Sequence, residues 1–264
     1  MQIYLISLKN DNFRREVLEN QFPRTFSNFK IIDAINGREA NAGEYFNNIR
    51  KFFKKTNRLL TPSEVGCTLS HLKALNSFLE SNDKYALILE DDIQGNDQDI
   101  LDILNIMDSV RNLDGVFIFG GQEGFDFNKY ILGKPFQIKK SNYMYYEVSK
   151  FSQRFILRTC CYVVNREIAQ YILSIHEDCL RNADAWSTIL ELSSYRMYYA
   201  NYLRHPVDLT DSTIERERES FYEYKFLKRI YKQGILWKIF NKIYNEFYRL
   251  ILLILGFKNI FKEK

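Results

Sequence analysis

Three consecutive carboxylates, Glu90, Asp91 and Asp92, directly follow a run of apolar residues in this 264-residue chain. The run, residues 85–89, shows no polar alternation, which predicts a strand buried on both faces. Negative charge at the end of such a strand is costly unless a cation or hydrogen bonds compensate it. Ligands of open parallel sheets bind just beyond the carboxyl ends of the strands. A hard divalent ion that joins these carboxylates to a substrate diphosphate would satisfy both conditions.

Glu90 and Asp92 are the predicted ligands of that ion, because alternate residues at a strand end point the same way. Asp91 would then face a ribose, support the ligands from behind or lie in the core. The simpler interpretation is that the three acids open a solvated loop. Triplets of this kind also arise by chance, as at residues 97–99 and 215–217, so the buried strand before Glu90 is what favours the metal site.

Strand and helix patterns alternate along the chain, which predicts an α/β fold around one sheet. The predicted strands cover residues 2–8, 29–34, 85–89, 115–119, 159–164 and 196–203. The predicted helices cover residues 14–22, 43–55, 61–80, 98–110, 166–176 and 184–193. Between them, residues 122–155 have a loop-like composition with one short hairpin. The clearest helix start is at Thr61, where Pro62 and Glu64 complete a capping box with proline at the first helical position.

Composition is ordinary for a globular protein, with 46% hydrophobic and 27% charged residues. The first residues resemble a strand and lack the pattern of a signal peptide, and no stretch approaches 18 apolar residues. The four cysteines, Cys67, Cys160, Cys161 and Cys179, follow no C-x-x-C spacing. We therefore expect neither a zinc site nor a disulfide framework, and instead buried thiols in a reducing cytoplasm.

Charge is distributed unevenly between the two parts of the chain. Residues 221–264 contain ten Lys or Arg and three Asp or Glu, a balance of +7, whereas residues 1–220 have a balance of −3. We expect a catalytic domain over residues 1–215 and a basic amphipathic helical tail over residues 216–264. Basic residues interleaved with large apolar ones, as at Tyr224–Lys232, are typical of a helix that lies on an anionic membrane. Alternatively, the apolar stripe packs on the catalytic domain or on a second subunit.

Several motifs occur together in an order that resembles glycosyltransferase family 25, the bacterial lipooligosaccharide and lipopolysaccharide glycosyltransferases. The resemblance covers about residues 1–215, and its two central motifs are the most specific. The matching residues are Tyr4–Leu8 with Arg14 and Arg15, Asp33 with Ala34, Ser63–His71, Leu89–Ile93, and Cys161–Arg166 with the helix that leads to Asp184.

The resemblance implies a GT-A-like mixed sheet flanked by helices, Mn²⁺ or Mg²⁺, and a nucleotide-sugar donor, UDP-galactose in much of the family. The metal would be held by Glu90, Asp92 and His205, although a C-terminal histidine ligand occurs only in some GT-A enzymes. The motifs place a further set of residues at the donor: Ile6, Ser7, Leu8, Arg14, Arg15, Asp33, Ser70 and His71. Alternative interpretations exist for three of these residues. At least one of the two arginines could simply lie on a solvated face of the first helix. His71 could be a hydrogen-bonded structural residue.

An inverting sugar transfer also needs a general base for the acceptor hydroxyl. Asp184 is the candidate, because it lies near a helix start beside Trp186, an aromatic residue suited to stack on a sugar. It could equally be an acid that the helix dipole favours at that position. Asp91 is counted with Asp184 as a catalytic residue.

The expected function is sugar transfer to a lipooligosaccharide, lipopolysaccharide or capsule-type glycan. The expected location is cytoplasmic and peripheral on the inner membrane. A metal-dependent nucleotidyltransferase or phosphohydrolase would use the same acidic strand end, but the chain has no P-loop. A membrane-bound scaffold without catalytic activity is the non-enzymatic alternative. The acidic body argues against nucleic acid as a partner.

Overall fold

A computed structural model of the chain describes residues 1–110, 112–137, 144–208, 213–223 and 235–261. Within these ranges nine strands form one sheet. The strands are β1 (Gln2–Ser7), β2 (Phe29–Asp33), β3 (Tyr85–Glu90), β4 (Gly115–Gly120), β5 (Leu132–Gln137), β6 (Met144–Val148), β7 (Cys161–Asn165), β8 (Arg196–Leu203) and β9 (Lys258–Asn259).

Helices cover the sheet. They are α1 (Asn12–Gln21), α2 (Ala42–Thr56), α3 (Pro62–Leu79), α4 (Asp97–Ser109), α5 (Arg166–Asp178), α6 (Trp186–Ile189), α7 (Thr213–Glu223) and α8 (Ile235–Ile254). Short 3-10 turns occur at Phe26–Asn28, Gly37–Glu39, Asp126–Tyr130 and Ser152–Phe155. The helix expected over residues 184–193 is thus a single turn, whereas the predicted hairpin is formed by β5 and β6.

The sheet is mixed, with the strand order β2-β1-β3-β7-β4-β8-β6-β5-β9. Strands β2, β1 and β3 are parallel, as are β4 and β8, while β7 runs antiparallel between β3 and β4. The α/β fold with a mixed sheet flanked by helices is therefore confirmed. Because β1 and β3 are parallel neighbours, with Ile6 opposite Glu90, their carboxyl ends open at the same edge of the sheet.

Helix α3 begins as its sequence predicts. The Thr61 side chain accepts the Glu64 backbone N–H, the Glu64 carboxylate accepts the Thr61 N–H, and Pro62 is the first helical residue. Both exchanges satisfy N–H groups that a helix start leaves without partners. This fixes the register of α3 beside β1 and β3, and with it the direction of the side chains one and two turns further on.

The C-terminal segment packs on the sheet and on α3. The predicted boundary at residue 215 falls inside α7, where Arg218 Nε lies 2.8 Å from Glu64 Oε1. Strand β9 pairs with β5, and Glu246 of α8 accepts hydrogen bonds from Lys129 and Tyr130. Residues 224–234 and 262–264, which include much of the basic pattern, lie outside the described residues.

Helix α8 has one side on the protein and one side toward solvent. Phe151 stacks on Tyr248 at 5.0 Å between ring centroids on the packed side. The opposite side, called here the apolar face of α8, is more than half exposed and follows a 3–4 residue spacing. Its members are Phe240, Ile243, Phe247, Leu250 and Ile254. Among the described helices, none combines the length and the hydropathy needed to cross a membrane.

Candidate active site

An open cleft of about 450 Å³ lies at the carboxyl ends of β1 and β3, between α1 and α3. Most of the predicted site residues contribute to its walls. Those that do are Ile6, Ser7, Leu8, Arg14, Ser70, His71, Glu90, Asp91, Asp92 and His205. Asp184, Arg15 and Asp33 are not among the lining residues.

The three consecutive carboxylates point to three different partners. Glu90 ends β3, and its Oε1 accepts from Thr159 Oγ1 at 2.6 Å and lies 3.1 Å from His71 Nε2. Asp91 and Asp92 follow in a turn. The alternation that would align Glu90 with Asp92 holds only while the chain stays extended. The predicted ligand set is consequently divided, and Glu90 faces α3.

Asp92 is paired with His205, whose Nε2 lies 3.3 Å from Asp92 Oδ2. Burial alone would raise the pKa of Asp92, but the His205 hydrogen bond and the charges of His205 and Arg14 outweigh it and lower that pKa. Burial likewise opposes the charged form of His205, yet hydrogen bonding to Asp92 and its charge raise the pKa of the imidazole. The two groups therefore stabilise each other as an ion pair.

The tautomer of His205 is set by its second nitrogen. His205 Nδ1 lies 2.8 Å from the Pro206 carbonyl oxygen, which can only accept, so Nδ1 carries a hydrogen. Nε2 then either carries a second proton toward Asp92 or offers its lone pair to a cation beside Asp92. The other Asp92 oxygen, Oδ1, is buried and has no hydrogen-bond partner among the described residues.

Asp91 is held by Arg14, whose Nη1 lies 2.8 Å from Asp91 Oδ1 and 3.9 Å from Asp92 Oδ2. Burial raises the pKa of Asp91, and the Arg14 hydrogen bond and charge offset only part of that rise. Arg14 also contacts Asp11 at 3.5 Å. The guanidinium predicted to meet the diphosphate therefore already compensates the carboxylates of the cleft.

Cys67 is the site residue that the sequence interpretation missed. Its Sγ, an imidazole nitrogen of His71 and a carboxylate oxygen of Glu90 lie within 4.8 Å of one another. Among the residues that the structure describes, no other His, Cys, Asp or Glu side chains form such a group of three or more. Burial, together with the nearby charge of Glu90, raises the pKa of the Cys67 thiol. The spacing Cys67-x-x-x-His71 on a capped helix was the available signal.

Asp184 is half-buried and is not among the residues that line the cleft. Its Oδ2 accepts the Arg158 backbone N–H at 3.2 Å, and the next residue, Thr159, is the one that donates to Glu90. Burial raises the pKa of Asp184, although the Arg158 hydrogen bond acts against it. Trp186 is only 2% exposed and packs edge-on against Tyr162. The expected stacking of Trp186 on a sugar is therefore wrong, because that ring belongs to the core.

Arg158 connects the Asp184 region with the loop that follows β4. It has a left-handed backbone with φ of 67°. Its guanidinium donates to the carbonyls of Gly121 and Glu123, and its own carbonyl accepts from the Trp186 indole. Glu123 in turn accepts the His205 backbone N–H at 3.1 Å. Nothing in the sequence around Arg158 signals this role.

Three other predicted donor residues have structural partners. Arg15 donates to Ser7 Oγ and to the Leu8 carbonyl, so it fixes the turn after β1. Ser70 Oγ accepts the Ile35 N–H at 2.7 Å and thereby holds the loop that forms one cleft wall. The Asp33 side chain is exposed, and its carbonyl accepts from a lysine of α3.

Comparison with known proteins supports one family. A protein of Haemophilus influenzae strain KW20 Rd named "Putative glycosyltransferase" is 26% identical over 268 residues, which covers 98% of this chain and 88% of that protein. Procollagen galactosyltransferase 1-B of Xenopus laevis is 31% identical over 98 residues, 35% of this chain and 16% of that protein. Human procollagen galactosyltransferase 2 is 25% identical over 131 residues, 46% of this chain and 21% of that protein.

Two solved structures resemble the fold at low sequence identity. Mannose-1-phosphate geranyltransferase from Thermus thermophilus has a TM-score of 0.41 at 11% identity, covering 78% of this chain and 74% of that one. The galactosyltransferase LgtC, in complex with donor and acceptor sugar analogues, has a TM-score of 0.37 at 12% identity, covering 90% of this chain and 99% of that one.

A sequence profile of "Glycosyltransferase family 25 (LPS biosynthesis protein)" matches residues 1–186. That range contains the acidic end of β3, the helix α3 that faces it, and Asp184. It is well over half of the 264 residues. The chain is a glycosyltransferase and belongs to glycosyltransferase family 25.

Proposed function

We propose that this glycosyltransferase moves galactose from UDP-galactose to a lipooligosaccharide, lipopolysaccharide or capsule-type acceptor, with inversion and with Mn²⁺ or Mg²⁺. The observation that carries the proposal is the Asp92–His205 pair in the cleft. The family description supports an envelope glycan as acceptor. The procollagen relatives are galactosyltransferases by name, which supports galactose as the sugar.

The donor set suits a divalent cation. Asp92 Oδ1 is a buried carboxylate oxygen without a partner among the described residues, and His205 is oriented through its Nδ1–H so that Nε2 can act as a ligand. Glu90 would join them by turning away from His71. Such an ion, when bound, neutralises the charge that develops on a diphosphate leaving group. Arg14 keeps the remaining negative charge of Asp91 compensated.

We propose Asp184 as the general base for the acceptor hydroxyl. A carboxylate with a raised pKa is the stronger base, and burial supplies that rise here. The Arg158 backbone N–H and the hydroxyl of the next residue, Thr159, link Asp184 to Glu90, so the base would stay in register with the acidic edge of the cleft. Asp91 acts through its contact with Arg14 and keeps the first turn of α1 at the cleft.

We also propose that the protein is cytoplasmic and peripheral on the inner membrane, with the apolar face of α8 against an anionic leaflet. The face contains two phenylalanines and three aliphatic residues, and the segment around it has a balance of +7. Apolar insertion and charge attraction act together in interfacial helices. The lipid part of a glycolipid acceptor would lie in the same membrane leaflet, which brings acceptor and enzyme together.

A donor panel tests the proposed reaction. The purified protein is incubated with UDP-, GDP- and CMP-sugars and a lipooligosaccharide acceptor, with Mn²⁺ or with chelator, and the product is analysed by NMR. We expect transfer from UDP-galactose only in the presence of the ion, with the anomeric configuration inverted. Transfer from another donor, equal activity in chelator, or retention of configuration would each contradict the corresponding part of the proposal.

A further inference from the structure

Cys67, His71 and Glu90 bring three different kinds of metal ligand together on the cleft wall. Cys67 and His71 lie one turn apart on α3, so their side chains share a face of the helix. Glu90 reaches them from the end of β3, and the three ligand atoms lie within 4.8 Å of one another. All three residues line the cleft, which gives an ion a path to them.

Two of the three ligands are held from behind. Tyr162, which is 2% exposed, places its hydroxyl 3.1 Å from His71 Nδ1. Thr159 Oγ1 donates to Glu90 Oε1 at 2.6 Å. Metal-binding imidazoles and carboxylates are oriented by such outer partners. The Tyr162 hydroxyl can donate or accept, so it holds the ring in either tautomer; when Nδ1–H donates to it, the Nε2 lone pair faces the space shared with Glu90 and Cys67.

We propose that Cys67, His71 and Glu90 form a binding site for a thiophilic divalent cation of the Zn²⁺ class. Thiolate, imidazole and carboxylate together with one open position suit Zn²⁺, whereas Mn²⁺ and Mg²⁺ prefer oxygen ligands. Tetrahedral zinc separates its ligands by about 3.5 Å. His71 Nε2 and Glu90 Oε1 are already 3.1 Å apart, so it is the Cys67 Sγ that has to approach, by up to about 1 Å, which rotation of the Cys67 side chain can supply.

Binding exchanges the thiol proton for the cation, and that proton leaves to solvent. The His71 hydrogen has to be on Nδ1, toward Tyr162, so that the Nε2 lone pair is available to the cation. The absence of C-x-x-C spacing argued against zinc in the sequence, but here the ligands come from one turn of a helix and the end of a strand. The site uses neither Asp92 nor His205, but it shares Glu90 with the proposed Mn²⁺ site. The two ions therefore compete for Glu90.

Cobalt spectroscopy tests the site on the intact protein. One equivalent of Co²⁺ is expected to give a thiolate-to-cobalt charge-transfer band that Zn²⁺ removes by displacement. The band should disappear in Cys67→Ser and persist in Cys179→Ser, which alters a buried thiol outside the group. It should also persist in Asp92→Asn, so that a failure of the proposed catalytic ion leaves this result unaffected.

A second measurement needs no variant. Cys67 is the half-buried cysteine, and the other three are buried, so an alkylating reagent should modify it first. A thiolate bound to a cation is not free to attack the reagent, so Zn²⁺ at ten times its dissociation constant should slow alkylation of Cys67 about tenfold, and Mg²⁺ should leave it unchanged. A wild-type protein without the band, a band unchanged in Cys67→Ser, or alkylation indifferent to Zn²⁺ would overturn the proposal.

Discussion

The chemistry of the cleft depends on where each carboxylate finds its positive partner. Asp91 has the Arg14 guanidinium at 2.8 Å, and Asp92 has the His205 imidazole at 3.3 Å. Glu90 instead accepts a hydroxyl and faces an imidazole. The carboxylate with a buried oxygen still free of hydrogen bonds among the described residues is Asp92, so it has the most to gain from a cation.

A change at Asp184 tests the proposed base. Asp184→Asn should lower the transfer rate by roughly 10²-fold or more with little change in donor affinity. The reason is that a side-chain amide cannot act as a general base and remove the proton of the acceptor hydroxyl. The proposed base acts as the carboxylate, and burial raises the pKa of Asp184. The rate should therefore fall as pH drops through a value above the ordinary range of Asp.

The pH–rate profiles of both proteins provide the measurement, with Asp178→Asn as a surface control. Asp178 is exposed and pairs with Lys55, and such pairs contribute little. Two outcomes would make Asp184 a structural residue instead. One is an equal loss of donor affinity and transfer rate in Asp184→Asn. The other is residual activity in that variant that still falls at low pH as the wild-type rate does.

At this scale the residue types were predictable and their partners were not. The buried run before Glu90 predicted the acidic strand end, and the cleft is there. The sequence could not show that the chain turns at Asp91, because alternation rules apply only to extended backbone. Thr159 and Tyr162 come from the β7 region, 69 and 91 residues away from their partners Glu90 and His71, and carry no local signal.

At the scale of elements, the cleft depends on how closely α3 approaches the loop after β2. A Cβ on Gly66 would lie 2.5 Å from both the Ile35 carbonyl oxygen and the Gly37 nitrogen. Real Cβ contacts are longer than this, and both neighbours are backbone atoms that a side-chain rotation cannot remove. Gly66 thus allows the loop carrying Ile35 to form the wall of the cleft.

Gly66→Ala should therefore destabilise the protein. Alanine in a helix interior is ordinarily favoured over glycine by about 0.5–1 kcal/mol, but forcing an added carbon into a packed site costs about 1–3 kcal/mol. We expect a net loss of about 1–2 kcal/mol in the free energy of unfolding, measured by urea denaturation. Gly43→Ala in α2 is the matched control, because its Cβ would meet only the Asn41 side chain, at 3.3 Å. A gain in stability for Gly66→Ala would contradict the close approach.

Sequence signals located most elements, since caps and buried runs are local. Thr61, Pro62 and Glu64 predicted the start of α3 to the residue. The two-residue strand β9 had no such signal, because its existence depends on pairing with β5, more than 120 residues earlier. Likewise, the periodic sequence of a helix shows that the helix has an apolar side, but it does not show whether that side packs on the same chain, on another protein or on a membrane.

For the whole molecule, the open question is what meets the apolar face of α8. Deleting the segment after residue 220 would remove β9 from the sheet edge and Glu246 from Lys129, so a loss of binding could reflect unfolding. Point substitutions on the exposed face avoid this difficulty. Ile243 and Phe247 are 64% and 59% exposed and point away from the packed side.

Ile243→Glu combined with Phe247→Glu should lower binding to anionic phospholipid vesicles more than tenfold. Each large apolar side chain contributes about 1.5–3 kcal/mol when buried, and a factor of ten corresponds to about 1.4 kcal/mol. Wild-type binding should also weaken with salt, because charge attraction is screened over about 8 Å at physiological ionic strength. Leu192→Glu is the control, because Leu192 is 90% exposed but lies outside α8. This variant should bind the vesicles as the wild type does. A wild type that ignores vesicles at every salt concentration would instead favour a protein partner.

The most direct test of the central claim, that Asp92 with His205 holds the catalytic cation, is turnover of UDP-galactose as a function of Mn²⁺ concentration. It compares wild type, Asp92→Asn and Asp108→Asn, an exposed acid on α4. At limiting Mn²⁺, Asp92→Asn should lose about 10–100-fold in activity and recover part of it as the ion is raised, with Asp108→Asn unchanged. Near-wild-type activity of Asp92→Asn at limiting Mn²⁺ would contradict the claim.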